Sequence, residues 1–211
     1  MRTAAIIPVK SFERAKTRLG IGGRRRSELC RLMLAEVLGA AAGSSHIDEV
    51  VVVTRDPEAA RMGRGAGATV LDDPEEAGVN EAIAIADRHV AGSGLDASIV
   101  LPQDIPFMTS DEIAFLMGHA APPSFVIVVP SRRFDGTNAL VRMPGGIMRT
   151  HYDEDSYRIH LAEAGKVTPN AALLFSAGMM ADIDTMEDIT QMPEAGRKPD
   201  VARRIREIAG A

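Results

Sequence analysis

The chain has 211 residues, enough for one large α/β domain and short for two independent ones. Its 45% hydrophobic and 25% charged residues are those of an ordinary globular protein, while a 4% aromatic share with no Trp leaves little for stacking nucleic-acid bases. A formal net charge of -5 excludes the positive field that non-specific nucleic-acid binders need, so no nucleic-acid partner is expected.

Short β-branched runs alternate with longer helical ones. Ala4–Val9 reads as a buried strand, too short for a signal-peptide core and without a cleavage site behind it. A basic, glycine-bearing loop, Lys10 to Arg26, leads into a helix from about Ser27 to Ala42. Cys30, the single cysteine, sits there among Leu29, Leu32 and Met33 as a buried helix residue, which excludes an intrachain disulfide and a cysteine-based zinc site. Glu49–Thr54 reads as a strand, Pro57–Gly65 as a helix and Ala68–Leu71 as a strand. Asn80–Val90 has helical spacing, Ala97–Leu101 is a strand, and Ser110–Gly118 is a helix capped by Thr109 or Ser110. Strands follow at Phe125–Val129 and Ala139–Arg142, then a helix at Ser156–Ala164, a strand at Ala171–Phe175, and helices at Thr185–Gln191 and Pro199–Ile208. No apolar run approaches the ~20 residues that span a bilayer, so a cytoplasmic protein with no membrane partner is expected.

Strand–helix repetition at this spacing predicts right-handed crossovers and a mostly parallel, Rossmann-like sheet in a single domain, residues 1–211. Ligands of such sheets sit beyond the carboxyl ends of the strands, and every informative motif falls at such an end. Pro8 stands at the end of the first strand as a candidate nucleotide contact, and the loop behind it brings Lys10, Lys16 and Arg18, three cations able to neutralise a triphosphate. Arg24, Arg25 and Arg26 read instead as a solvated helix start. The loop is neither a Walker A nor a G-x-G-x-x-G motif. Asp104, in Leu101-Pro102-Gln103-Asp104-Ile105-Pro106, follows a central strand and suits magnesium, which takes hard oxygen donors and commonly only one or two protein carboxylates. Asp182 and Asp184 alternate, so an extended segment turns both to one side, where they repel unless a cation lies between them or they face water. One of the two is expected to cap the next helix, with Glu187 near its N3 position, and the other to bind metal. Gly136 allows close backbone approach, and Thr137 and Asn138, ahead of a strand, offer hydroxyl and amide donors to the phosphate or carboxylate of an acceptor. Ser156, behind His151, Tyr152, Asp153, Glu154 and Asp155, reads as a helix N-cap able to receive an anion. His160 reads as a helix-surface residue. Gly78 and Asn80 open another helix at a strand end, where the Asn80 amide could read a base edge or a ribose hydroxyl.

In this order, P-V-K-x(5)-K-T-R-L, G-V-N, P-Q-D-I-P, G-T-N-A-L, S-Y-R-I-H-L and D-I-D-T-M-E-D resemble the 2-phospho-L-lactate guanylyltransferase family over nearly the whole chain. The resemblance implies the nucleotide-diphospho-sugar transferase type of fold, magnesium as cofactor, and GTP as donor. It also implies 2-phospho-L-lactate, phosphoenolpyruvate or 3-phosphoglycerate as acceptor, in the biosynthesis of the deazaflavin coenzyme F-420. By motif match it implies acceptor contacts at Thr137 and Ser156, and metal at Asp104 with a carboxylate of D-I-D-T. Asp153 stands where the family tends to have glycine, and Asp135 where a second glycine is frequent, both on the acceptor side. The alternatives are a cytidylyl- or uridylyltransferase for a sugar or polyol phosphate, and a non-catalytic nucleotide-binding protein on the same fold. The oligomeric state is open, a homodimer being one option.

Overall fold

Every residue of the first strand, β1 (Thr3–Pro8), is buried. Ala5 and Ile7 enter one apolar cluster while Ala4 and Ile6 enter a second on the opposite face. A strand covered on both faces needs no polar alternation, and its sequence accordingly reads as an unbroken apolar run. The computed structural model describes residues 1–153, 155–192 and 198–211, so Glu154 lies outside the described residues. After β1 come α1 (Gly23–Ala42), β2 (Glu49–Thr54), α2 (Pro57–Gly65), β3 (Thr69–Asp72), α3 (Val79–Gly92) and β4 (Ala97–Val100). The second half comprises α4 (Ser110–Met117), β5 (Phe125–Pro130), β6 (Thr137–Met143), α5 (Ser156–Val167), β7 (Ala171–Leu173), α6 (Met186–Thr190) and α7 (Pro199–Ala209).

The expected strands and helices are present, with their ends moved by a few residues. The largest shift is at α1, which begins at Gly23 and so takes in Arg24, Arg25 and Arg26. Cys30 is fully buried there, and burial pushes its thiol up to about 11, which suits a packing role.

The strands form one sheet in the order β3-β2-β1-β4-β6-β5-β7. All neighbours are parallel except at β6, which runs antiparallel to both β4 and β5. Only the short segment 131–136 joins β5 to β6, too short for the helical crossover that a parallel pair needs. Helices α1, α4, α6 and α7 contribute to the apolar cluster on one face, and α3 and α5 to that on the other. From β1 the chain moves toward β2 and β3; from β4 it moves the opposite way. The switch point therefore lies between β1 and β4, at their carboxyl ends. Because β6 is reversed, its first residues emerge at that same end, with Leu140 opposite Val100 in the ladder.

Candidate active site

A cleft of about 1050 Å³ opens at this switch point. The loop leaving β1 is pinned along one wall by Val9, Phe12, Ala15 and Leu19, all buried, and by the Phe12 N–H, which donates to Asp56 Oδ2 at 3.0 Å. Between these anchors Lys10, Arg14, Lys16 and Arg18 line the cleft. Lys10 and Arg18 are exposed and have no hydrogen-bond or ion-pair partner among the described residues, which leaves both open to an anion.

Lys16 is different. It takes a left-handed φ of 57°, uncommon for a residue other than glycine, and opens a 3-10 turn, Thr17–Leu19. Its Nζ donates to Asp104 Oδ2 at 2.6 Å and to Asp184 Oδ1. Burial alone disfavours this ammonium, but the charges and hydrogen bonds of Asp104 and Asp184 outweigh it and hold the pKa above the ordinary lysine value.

The two acidic segments are stitched together by backbone, since the Ile183 N–H donates to the Asp104 carbonyl at 3.0 Å. Asp182 joins them from the side, accepting from Asn138 Nδ2 at 2.9 Å. Burial, together with the charges of Asp104 and Asp184, pushes the Asp182 carboxyl above its usual range despite that hydrogen bond. Among the described residues no group of three or more His, Cys, Asp or Glu is positioned to hold a metal, but Asp104 and Asp184 do meet on a single cation, the Lys16 ammonium.

The far wall belongs to β6 and α5. Thr137 and Asn138 lie within β6 rather than ahead of it. Asn138 engages both amide hydrogens inside the protein, on Asp182 and on the Met179 carbonyl at 2.9 Å. Thr137 Oγ1 accepts from Ser156 Oγ at 3.1 Å and lies 2.9 Å from His160 Nδ1. The preceding turn is closed by Ser131 Oγ, which donates to Asp135 Oδ1 at 2.6 Å and accepts from the Gly136 N–H at 3.0 Å.

Twelve of the thirteen residues that the sequence nominates line this cleft: Pro8, Lys10, Lys16, Arg18, Gly78, Asp104, Thr137, Asn138, Asp153, Ser156, Asp182 and Asp184. Asn80 is the other. Its Oδ1 accepts from the Tyr152 N–H at 2.9 Å, so it fastens α3 to the segment before α5. Gly78 needs its lack of side chain, for it holds φ at 135° with Glu81 Oε2 3.1 Å from where a Cβ would stand.

Three local expectations are corrected and one alternative is resolved. Neither Asp182 nor Asp184 caps α6; Thr185 does, in a capping box whose N3 member is Asp188 rather than Glu187. Ser156 is the first residue of α5 rather than its N-cap, a place held by Asp155 at φ 60°. Of the two candidates at α4, Thr109 is the cap, and Ser110 Oγ donates instead to the Ala40 carbonyl at 2.9 Å. His160 is fully buried, not on the helix surface. A signal for it existed: it stands four residues after Ser156, on the same face of a helix.

With a cationic loop, an acidic junction and a hydroxyl-bearing wall at the switch point of a mostly parallel sheet, the chain is a nucleotidyltransferase, as its family and relatives show. A Desulfovibrio desulfuricans G20 protein assigned as a nucleotide-diphospho-sugar transferase has the same fold, at a TM-score of 0.73 and 15% identity over 99% of this chain and 96% of that one. The chain belongs to the family described as guanylyl transferase CofC like, which matches residues 3–206. It is 34% identical over 197 residues to a phosphoenolpyruvate guanylyltransferase of Conexibacter woesei, covering 92% of this chain and 88% of the relative. To a 2-phospho-L-lactate guanylyltransferase of Methanothermobacter thermautotrophicus it is 29% identical over 210 residues, covering 99% and 92%.

Proposed function

We propose that the chain transfers GMP from GTP to a small phosphorylated acid with release of pyrophosphate, in the biosynthesis of the deazaflavin coenzyme F-420. Phosphoenolpyruvate, 2-phospho-L-lactate and 3-phosphoglycerate are the candidate acceptors. The observation that carries this reading is the convergence, in one cleft, of Lys10 and Arg18, which have no partner among the described residues, the Lys16–Asp104–Asp184 junction, and the Thr137–Ser156 hydroxyl pair. The names of the two relatives supply the donor and the acceptor class.

Pro8 and Gly78 border the nucleoside, Lys10 and Arg18 neutralise the triphosphate, and Thr137 and Ser156 hold the acid. An oxygen of the ionised acceptor phosphate forms a bond to the α-phosphorus of GTP as the bond from that phosphorus to the pyrophosphate oxygen breaks, and pyrophosphate leaves with the electron pair. The attacking oxygen carries no proton, so no general base is needed. Catalysis is then positioning and charge neutralisation. The carboxylates of Asp104 and Asp184 already bracket one cation and are hard oxygen donors, a set that fits magnesium, with Asp182 tied back by Asn138. When bound there, magnesium supplies further charge neutralisation at the phosphates.

The test is pyrophosphate release with each of the four NTPs against the three acids, in the unmodified protein and in Asp104→Ala. Turnover confined to GTP, and abolished by the substitution, is expected. A preference for CTP or UTP, near-normal activity of the variant, or no release with any pair would each overturn the reading.

A further inference from the structure

His160 lies fully buried on α5, behind the wall of the cleft. Its Nε2 is 2.8 Å from the backbone nitrogen of His151. A backbone N–H can only donate, so Nε2 must be the unprotonated nitrogen. A neutral ring then carries its proton on Nδ1, which faces Thr137 Oγ1 at 2.9 Å. Ser156 Oγ donates to that same oxygen at 3.1 Å. A hydroxyl offers two lone pairs and one proton. With both lone pairs engaged by His160 and Ser156, the Thr137 proton is the remaining hydrogen-bonding element of the group, and Thr137 lines the cleft.

We propose that His160 is a positioning residue for the acceptor, fixing the Thr137 hydroxyl as an outward donor to a carboxylate or phosphate oxygen of the phosphorylated acid. This rests on the reading of the β6–α5 wall as the acceptor site. Without the ring, the Thr137 hydroxyl can turn and donate inward, which would present a lone pair to an incoming anion. The neutral ring that this needs is favoured by the surroundings: burial, with the charges of His151 and Arg142, brings the His160 pKa down to about 4. The effect belongs to the acid rather than to GTP, because Thr137, the ring's partner at the cleft, stands on β6 and not on the loop after β1 that carries Lys10 and Arg18.

Two measurements test it. Nitrogen NMR of the imidazole in the unmodified protein at neutral pH reads the tautomer directly. Protonation on Nδ1 is expected; protonation on Nε2 overturns the proposal whatever the substrate. Calorimetric binding of the three acids is then compared among the unmodified protein, His160→Asn and His160→Gln. Asparagine can set an N–H where Nδ1 stood and keep the donor to Thr137. Glutamine can set a carbonyl oxygen where Nε2 stood, keeping the acceptor for His151 and losing that donor. His160→Gln should weaken acid binding by about ten-fold or more, and His160→Asn by no more than about three-fold, with GTP affinity unchanged in both. Equal losses in the two variants, or a loss confined to GTP, would overturn it. If the unmodified protein binds none of the acids, the acceptor reading fails and this proposal fails with it. Normal binding with the ring protonated on Nε2 removes the role of His160 alone.

Discussion

A buried group that must stay neutral stores a pH dependence in the fold, and His160 is such a group. Its folded pKa of about 4 lies below the ordinary 6.5, so between those values the unfolded chain binds more protons than the native one. Stability therefore rises with pH across that window: it is complete above about 6.5 and is lost as pH falls toward 4. The displacement corresponds to about 3 kcal/mol. In urea melts the unmodified protein should lose more stability than His160→Asn between pH 6.5 and 4, since the variant has no ring to protonate. Carboxylates such as Asp188 and Glu76, whose pKa values are lowered in the fold, contribute equally to both proteins and cancel in the comparison. Superimposable pH profiles would show that the ring titrates as it does in the unfolded chain. At this scale the sequence is a good guide to residues that act directly at a strand end and a poor one to residues that act through a partner. Lys10, Lys16, Arg18 and Asp104 could be picked because each follows a buried strand closely. The work of Asn138 and His160 is set by groups 44 and 23 residues away along the chain, Asp182 and Thr137, and no local pattern reports that.

Helix α6 has only five residues, yet it governs the acidic junction. Asp188 Oδ2 accepts from the Asp184 N–H at 3.0 Å and from the Thr185 N–H at 2.7 Å, which fixes the backbone that carries Asp184. Arg132 and Arg133 clamp the other oxygen at 2.8 and 2.9 Å, tying the β5–β6 connection to the same helix. The side chain is 5% exposed, so these bonds are largely shielded from water. Asp188→Ala removes the box and leaves two backbone donors and two guanidinium groups without their acceptor. A loss of about 2 kcal/mol is expected, which for a domain of this size lowers Tm by about 4–8 °C. Activity should fall beyond what lost stability explains when assayed well below the new Tm, because Asp184 is no longer held against Asp104. An unchanged kcat with a lowered Tm would reduce Asp188 to a stabilising cap. The presence of a box here was legible in the sequence, but its frame was not. Asp184, Thr185, Glu187 and Asp188 allow two registers, and contacts with Arg132 and Arg133 from a distant loop accompany the one observed. The reversal of β6 was equally out of reach of periodicity, which reports which residues are buried and not which way a strand runs.

Taken as a whole, the molecule assembles its cleft from two halves: the parallel β1–β4 half carries the cationic loop, and the half built on β5, β6 and α5 carries the hydroxyls. The fold class was readable from the alternation of elements because crossovers and buried strands follow from sequence pattern alone. The charge balance of the cleft emerges only when the halves are joined. Lys10, Arg14, Lys16 and Arg18 then face Asp73, Glu76, Asp104, Asp135, Asp153, Asp155, Asp182 and Asp184 among the described lining residues. Two of the four cations are already paired, Lys16 with Asp104 and Asp184, and Arg14 with Glu76 at 3.4 Å. A triphosphate entering such a site meets an excess of negative charge, which Coulomb repulsion in a partly dehydrated cleft makes costly. Lys10 and Arg18 alone do not reverse that excess. The balance favours a requirement for divalent cations at the binding of GTP itself, before any chemistry. In calorimetric titrations, removing magnesium with EDTA should therefore weaken GTP binding by about a hundred-fold or more, equivalent to some 3 kcal/mol. Adding magnesium back should restore it, and Asp104→Ala should blunt the restoration. GTP binding that is equally tight with and without EDTA would mean that the four cations suffice, and would confine any need for metal to the transfer step.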